Sequence, residues 1–245
     1  MGKIPQTLKE IELKAIINYL LYKKNVSSFN RFRNATMIYF QYILGLRPKE
    51  CYNVLIENLD LVNNRLFIPA MDNKERQADY VYLPDLLIPK LEIYLKIRNN
   101  KYPDSPYLFT TKIKGKYYGL SRSRYAQIFK DAVKSLGLYK ISKTRTIKGK
   151  IHRVGNFTPY SLRHSFGTEV FSRTKDIKRT AIMLRHKDNN FRSTMIYVHA
   201  CEDKLREELT KEIYESFDRP KILKPHKELL THYFRSNSFE KRSFS

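Results

Sequence analysis

The sequence predicts a mainly α-helical (α+β) fold with a small antiparallel β-sheet or hairpin. Apolar residues recur at helical spacing in eight segments, whereas only one pair of segments alternates like half-buried strands. A hydrophobic content of 42%, with 18 Tyr and 14 Phe, is sufficient for a packed core and argues against a disordered chain. At 245 residues the chain forms either one large domain or a domain with an appendage.

Helices are predicted over residues 7–23, 29–44, 49–55, 84–98, 121–136, 160–171, 176–184 and 202–217. Thr7-Leu8-Lys9-Glu10 has the pattern of a capping box at the start of the first helix. Gly45 is expected to end the second helix, and Pro48 to begin the short third one. Arg47 therefore lies in a bend between two helices, from which its side chain can point into a cleft.

Two further helix starts carry clear signals, because Ser121 is a cap residue and Thr158-Pro159 combines a cap with proline at the first helical position. The β hairpin is predicted from Arg65–Pro69 and Asp79–Leu83, which are joined by a long polar link containing Lys74. The last residues, 219–245, are basic and irregular and are expected to form a flexible tail.

The charge of the chain points to a polyanionic partner. Lys and Arg number 47 against 24 Asp and Glu, which gives a net charge of +23 and a pI near 9.9. Nucleic acid is the first candidate, and a merely basic protein is the alternative. Residues 140–153 contain six basic residues and no acidic one, which fits a solvated loop or a hairpin on a phosphate backbone, with DNA contact favoured.

Cysteine usage and hydropathy argue against a zinc-binding, a membrane-spanning and a secreted protein. Cys51 and Cys201 are the two cysteines, with no zinc-type spacing, and are interpreted as reduced thiols of an intracellular protein. No apolar run approaches the roughly 18 residues of a membrane span, and the N-terminus lacks the apolar core of a signal peptide. A cytoplasmic protein with no membrane contact and no small-molecule substrate is expected.

Three blocks of sequence carry the functional signal. They are Gly45-Leu46-Arg47-Pro48-Lys49-Glu50, the stretch from Tyr160-Ser161-Leu162-Arg163-His164 to Thr168, and the segment from Leu184-Arg185-His186 to Thr194-Met195-Ile196-Tyr197-Val198-His199. In their order, approximate separation and local sequence, these blocks resemble the catalytic domain of the tyrosine recombinase (phage-type integrase) family. The resemblance covers roughly residues 5–200 and implies the family's multihelical catalytic-domain fold.

The resemblance implies an enzyme that cleaves and rejoins double-stranded DNA through a 3′-phosphotyrosyl intermediate, without metal, ATP or other cofactor. Tyr197 would be the nucleophile, and Arg47 and Arg163 would bind the scissile phosphate, for which planar guanidinium groups offer paired donors. His186 would hydrogen-bond the same phosphate. The implied catalytic set is Arg47, Lys74, Arg163, His186 and Tyr197.

The chain departs from the family pattern at several positions. Tyr160 stands where the family places a His or Lys, and a tyrosine is a poor base at neutral pH. Met71 occupies the position expected for the hairpin lysine that acts as general acid, so Lys74 is the nearest substitute, with a solvated turn as the alternative. His164 follows Arg163 and is rotated about 100° around the helix, which favours a packing or supporting role. The spacing from His186 to Tyr197 is about two residues longer than usual.

The predicted domains are a catalytic domain at 1–200 and a C-terminal helix with a basic tail at 201–245, with the family's N-terminal core-binding domain absent. A homotetramer on two DNA sites is expected from the resemblance. The helix at 202–217 could dock on a neighbouring copy or pack on its own domain, and both interpretations stay open.

Two alternative functions remain. A catalytically degenerate relative would hold DNA without cutting it, which Tyr160, Met71 and the missing domain favour. A type IB topoisomerase-like enzyme would share the chemistry but relax supercoils without exchanging partners. An RNA-binding protein has no support beyond the charge.

Overall fold

A computed structural model describes residues 6–72, 77–147, 150–186 and 191–217. The α-helices are α1 (Glu10–Tyr22), α2 (Ser28–Ile43), α3 (Pro48–Tyr52), α4 (Ile88–Lys101), α5 (Arg122–Ser135), α6 (Pro159–Thr174), α7 (Ile177–Met183) and α8 (Met195–Phe217). The strands are β1 (Leu59–Asp60), β2 (Arg65–Ile68), β3 (Asp79–Tyr82), β4 (Thr110–Ile113), β5 (Lys116–Gly119), β6 (Ile141–Ile147) and β7 (Lys150–Gly155). The predicted fold class, mainly helical with small antiparallel sheets, is confirmed.

Several predicted helix boundaries are wrong. The fourth helix begins at Ile88 and not at residue 84, and the last begins at Met195 and not at residue 202. In the first and third helices, long-range contacts override the local signals. The chain stays non-helical through Leu8, whose N–H donates to the Ser165 hydroxyl at 2.7 Å, so Thr7 does not cap the first helix. Glu12 instead accepts from the Lys9 N–H at 2.7 Å. The third helix was predicted to reach residue 55 but ends at Tyr52, because residues 54–56 hydrogen-bond to residues 106–108 instead.

The other caps follow the sequence. The Ser121 hydroxyl accepts from the Arg124 N–H at 3.2 Å and starts α5. Proline occupies the first turn of α6 after Thr158, as predicted. The Asp176 carboxylate accepts from the N–H groups of Lys178 and Arg179 and starts α7.

The strands form three separate antiparallel sheets. The predicted hairpin is present as β2 and β3, with Leu66 opposite Val81, and β1 adds an unpredicted third strand beside β2. The β4–β5 hairpin was not predicted either. Residues 141–147 and 150–155 pair as antiparallel strands, β6 and β7, so the described part of the basic stretch forms a hairpin and not an irregular loop.

The main core surrounds α2, whose Met37, Ile38 and Phe40 are fully buried. Side chains of α1, α4, α5 and the three-stranded sheet pack around it. A second, smaller cluster consists of Phe171, Leu184, Tyr197 and Cys201. This second cluster holds one of the predicted catalytic residues, and its contacts determine where that residue lies.

Residues Met1–Cys201 form one compact unit and Glu202–Ser245 another. The described part of the second unit is the helical stretch 202–217, in which Arg206 pairs with Glu202 at 2.6 Å one turn earlier. In the part of the chain that the structure describes, no helix has the length and apolarity to cross a membrane. Residues 219–245, predicted as a tail, lie outside the described residues.

Candidate active site

The bend that carries Arg47 is built by the end of α2. Gly45 has a φ of +58°, and its N–H donates to Tyr42 while that of Leu46 donates to Gln41, a Schellman motif. A Cβ on Gly45 would lie 2.3 Å from the Phe166 ring, so glycine is required here by both φ and space. The bend places Arg47 at the N-cap of α3, where its backbone N–H donates to Glu50 at 2.8 Å.

Arg163 is fixed to the same bend from the opposite side. Its Nη1 donates to the Gly45 carbonyl at 2.7 Å, and its Nη2 donates to the Leu184 carbonyl. The buried Gln41 side chain also joins the two elements, because its amide donates to Leu46 at 3.1 Å and to Pro159, at the start of α6, at 2.8 Å. The guanidinium of Arg163 is therefore buried and held by backbone acceptors.

Glu50 lies at the centre of three arginines. Its carboxylate accepts from Arg47 Nη1 at 2.7 Å and from Arg185 Nη2 at 2.5 Å, and it lies 4.0 Å from Arg163 Nη1. Asp79, which is more exposed, lies 4.0 Å from Arg185 Nε. Three guanidinium groups against these two carboxylates leave a net positive charge among the described residues. We call Arg47, Glu50, Arg163 and Arg185 the arginine cluster.

The pKa shifts of the cluster follow from its burial and its charges. Burial would raise the pKa of Glu50, but the charges of Arg185, Arg163 and Arg47 outweigh it and hold the pKa below its usual value. Burial, with repulsion from Arg47 and Arg185, lowers the pKa of Arg163 to about 9. Glu50 and Arg163 therefore remain charged at neutral pH.

Arg185 and His186 are positioned by the end of α7. Arg185 has a φ of +53°, and its N–H donates to Ile182 while that of His186 donates to Ala181, a second Schellman motif. The left-handed position, which usually favours glycine, here turns a buried arginine toward Glu50. Its Nε and Nη1 are buried and make no hydrogen bond to any described residue, so N–H groups of Arg185 remain for a further acceptor.

Tyr197 lies in the first turn of α8 and is only 2% exposed. A Cβ on Gly167 would lie 2.7 Å from its ring, so α6 approaches the ring closely because it lacks a side chain there. The His186 ring stacks on Tyr197 with a centroid distance of 6.4 Å. Burial raises the pKa of Tyr197, while Arg163 and Arg47 act in the opposite direction. We call Tyr197, Gly167, Leu184 and His186, with His164, the tyrosine seat.

His186 is itself held in place by hydrogen bonds. Its Nδ1 lies 2.8 Å from the hydroxyl of Thr194, which is fully buried, and 3.4 Å from the hydroxyl of Ser193. The Thr194 carbonyl in turn accepts from the Tyr197 N–H at 3.0 Å. One threonine therefore sets the orientation of the imidazole and the start of the helix that carries Tyr197.

Four of the five residues predicted from the sequence, Arg47, Arg163, His186 and Tyr197, come together around the arginine cluster and the tyrosine seat. Lys74 lies outside the described residues. Met71, at the position expected for the hairpin lysine, is exposed, and its carbonyl accepts from Lys49 Nζ at 2.5 Å.

Three further residues of the site were not assigned from the sequence. The sequence contained a signal that could have identified Glu50. It stands at the third helical position after Arg47, from which a carboxylate can accept from the N–H of the N-cap residue. No sequence signal indicated that Arg185 would be buried. His164, expected in a packing or supporting role, places its Nδ1 3.3 Å from the Tyr197 hydroxyl; the rotation away from Arg163 directs it toward the start of α8. Tyr160 is 50% exposed.

The helical fold and the order of the arginine, histidine and tyrosine residues define a tyrosine recombinase-type catalytic domain. The chain belongs to the phage integrase family, whose family model matches residues 6–204. It is 28% identical over 205 residues to the tyrosine recombinase XerD of Staphylococcus saprophyticus, which covers 83% of this chain and 61% of that protein. The tyrosine recombinase XerA of Pyrococcus horikoshii is 28% identical over 208 residues, with 85% and 61% covered. The chain thus spans about three fifths of the length of these curated relatives.

Solved structures show the same fold. The XerH site-specific recombinase in a post-cleavage complex with a palindromic difH substrate superposes with a TM-score of 0.64 and 25% identity, over 87% of this chain and 54% of that one. The crystal structure of XerA recombinase gives a TM-score of 0.62 at 23% identity, over 91% and 66% of the two chains. The second comparison concerns the fold alone.

Proposed function

We propose that the chain is a site-specific DNA recombinase or integrase that cleaves and rejoins DNA strands through a phosphotyrosyl intermediate at Tyr197. The observation that carries this proposal is the arginine cluster, whose net positive charge is buried next to a tyrosine. Among the described residues the buried cations of the cluster outnumber its carboxylates, and an anionic group bound there would offset the cost of burying them. A phosphodiester is an anion with oxygens matched to paired guanidinium donors.

The arrangement accounts for the chemistry that strand cleavage needs. Negative charge grows on the nonbridging oxygens as the phenolic oxygen adds to phosphorus, and donors fixed in advance stabilise that charge best. Arg163 is held by two backbone carbonyls and Arg47 by Glu50, so neither has to be ordered by the substrate. Arg185, with a buried Nη1 that has no hydrogen-bond partner among the described residues, supplies a third cation.

The role proposed for His186 is a hydrogen bond to the scissile phosphate. Its Nδ1 is engaged by Thr194 and Ser193, so the ring is oriented before DNA arrives. The residues covering Tyr197 have to move before its hydroxyl can meet a phosphate, because the side chain is 2% exposed. The energy of the broken phosphodiester would be kept in the tyrosyl linkage, so resealing needs no nucleotide cofactor.

The relatives support this proposal through what they are named to do. XerD and XerA are tyrosine recombinases, and the XerH structure holds a cleaved difH substrate. A homotetramer on DNA, a docking role for residues 202–217, backbone contacts by the β6–β7 hairpin and an acid role for Lys74 are parts of the same proposal, as is a cytoplasmic location.

The first experiment needs no known target site. Wild type and Tyr197→Phe are incubated with sheared genomic DNA in EDTA, and DNA that stays with SDS-denatured protein is sequenced. Adducts are expected from wild type and from Tyr118→Phe, a matched control with a half-exposed phenol, but not from Tyr197→Phe. Adducts that persist in Tyr197→Phe would contradict the assignment of the nucleophile.

The second candidate function is a DNA-binding relative that does not cleave. It is favoured by the half-exposed Tyr160 in place of a His or Lys and by the deep burial of Tyr197. Both candidates require binding that weakens steeply with salt, because phosphate contacts release counterions. Salt-sensitive binding without adducts from wild type would support the second candidate.

A further inference from the structure

The hydroxyl of Tyr197 has an imidazole partner that is not among the residues so far assigned to the reaction. His164 Nδ1 lies 3.3 Å from Tyr197 Oη, and the two ring centroids are 5.9 Å apart with a tilt of 46°. A nitrogen at this distance from a phenolic oxygen is a hydrogen-bond partner and is within reach of the proton that the nucleophile has to lose. His164 therefore touches the reacting atom itself.

The other groups near Tyr197 are less suited to accept that proton. His186 faces the ring in a nearly parallel stack, with an interplanar angle of 19°, and its Nδ1 is engaged by Thr194. Arg163 and Arg47 are cations at neutral pH, so neither can accept a proton. Tyr160 is half-exposed, and a phenol group is in general a weaker proton acceptor than an imidazole.

We propose that His164 is the residue that accepts the phenolic proton of Tyr197 during strand cleavage, an inference that rests on the proposed function. The O–H bond of Tyr197 breaks, and its proton moves to Nδ1 of the neutral imidazole. The electron pair left on the phenolic oxygen forms the new bond to phosphorus. The 5′-oxygen of the DNA leaves with the electrons of its own bond to phosphorus and takes a proton from the general acid, the role proposed for Lys74.

The charges around His164 suit a base that becomes active when DNA binds. Burial, and then the neighbouring Arg163, lower the pKa of His164 to about 4, so the free protein holds a neutral imidazole with a lone pair available. Tyr197 stays protonated in the same state, since its pKa is raised by burial against the charges of Arg163 and Arg47. A phosphodiester bound at the arginine cluster adds negative charge beside both groups, which favours protonated His164.

The test compares His164→Gln with wild type on a DNA site recovered in the adduct experiment. The rate of covalent adduct formation is measured from pH 6 to pH 9.5. His164→Gln is expected to be slower by at least about 100-fold at pH 7, the usual scale for loss of a general base, and to recover part of the difference as pH rises. Tyr160→Phe, the matched control, is expected to remain within about threefold of wild type.

A second substrate separates the two ends of the reaction. A 5′-bridging phosphorothiolate has a leaving group that needs no proton, so it rescues loss of an acid but not loss of the base. His164→Gln should remain slow on this substrate. Full rescue by the phosphorothiolate, a loss that is the same at every pH, or a comparable loss in Tyr160→Phe would each overturn the proposal.

The DNA-free protein gives a readout that does not depend on cleavage. In ¹⁵N NMR of histidine-labelled protein, His164, identified by its absence from His164→Gln, should show an unprotonated Nδ1 and titrate well below pH 6. If wild type forms no adduct, the proposed function fails. These spectra still test whether Nδ1 of His164 is unprotonated and can accept a hydrogen bond from the Tyr197 hydroxyl. A protonated Nδ1 at neutral pH, or titration near pH 6.5, would overturn the inference by itself.

Discussion

The arginine cluster and the tyrosine seat are neighbouring parts of the candidate site and are held in different ways. In the arginine cluster the side chains are fixed by charge, with Glu50 accepting from Arg47 and Arg185. In the tyrosine seat the ring of Tyr197 is fixed by packing against Gly167 and Leu184 and by ring contacts with two histidines. Leu184 connects the two, since its carbonyl accepts from Arg163 of the arginine cluster while its side chain packs in the smaller core cluster.

This difference matches the two requirements of the proposed phosphoryl-transfer site. Groups that bind the phosphate have to be in place before substrate arrives, and buried ion pairs with backbone hydrogen bonds achieve that. A nucleophile has to be held and then released toward phosphorus, and packing contacts of small free energy permit that movement. Substitutions in the cluster should therefore affect stability and transition-state binding, whereas substitutions in the seat should affect the position and protonation of the tyrosine.

The largest effect is expected from Glu50→Gln, which leaves three buried guanidinium groups around a neutral amide. Breaking a buried ion-pair network costs about 3–5 kcal/mol of unfolding free energy. Urea unfolding at pH 7 measures it. Glu169→Gln, which removes a partner of Arg173 at the surface of α6, should cost under about 0.5 kcal/mol. Equal costs for the two variants would mean that the cluster is not held by charge.

Arg163→Lys should reduce the rate of adduct formation by about 10²–10³-fold, the loss seen when one fixed oxyanion donor is removed. A lysine keeps the charge but cannot present two donors to one phosphate. Duplex affinity, measured by fluorescence anisotropy below the unfolding temperature of the variant, should change little. Arg173→Lys on the exposed face of the same helix is the control. Binding that collapses together with cleavage would make Arg163 a positional residue.

Stability should rise with pH between about pH 4 and pH 6.5 because of His164. Its folded pKa of about 4 lies below the ordinary value of 6.5, so the unfolded state binds the extra proton in this window. The stability contribution is therefore complete above pH 6.5 and is lost as pH falls toward 4, by on the order of 2 kcal/mol. Urea unfolding at pH 7.5 and pH 5 should show a smaller difference for His164→Gln than for wild type. An unchanged difference would exclude His164 as its source.

Gly167→Ala should displace the Tyr197 ring, because the new Cβ would lie 2.7 Å from two of its carbons. We expect adduct formation to fall by roughly tenfold or more, since small displacements of a nucleophile are costly, although alanine favours the helix by about 1 kcal/mol. Ser172→Ala on the same helix should leave the rate unchanged. A more stable Gly167→Ala with wild-type cleavage would show that the reactive ring does not occupy this seat.

The sequence by itself determined the helical class, most helix starts and the chain order of Arg47, Arg163, His186 and Tyr197. These features depend on helix caps, hydrophobic periodicity and short sequence motifs, all of which involve residues within a few positions of one another. Gly45 and Pro48, for example, predicted the bend that carries Arg47. The capping box at Thr7 failed because Leu8 is bonded to a residue 157 positions away.

Only the tertiary structure decided how those residues are supported. Glu50 and Arg185 are 135 positions apart, and His164 and Tyr197 are 33 apart, so no local pattern records that either pair meets. Burial then changes the properties of the groups that meet. A guanidinium or an imidazole that is removed from water has a different pKa and requires a hydrogen-bond or charge partner. The sequence named the candidate site residues, and packing around α6 determined which neighbours they contact.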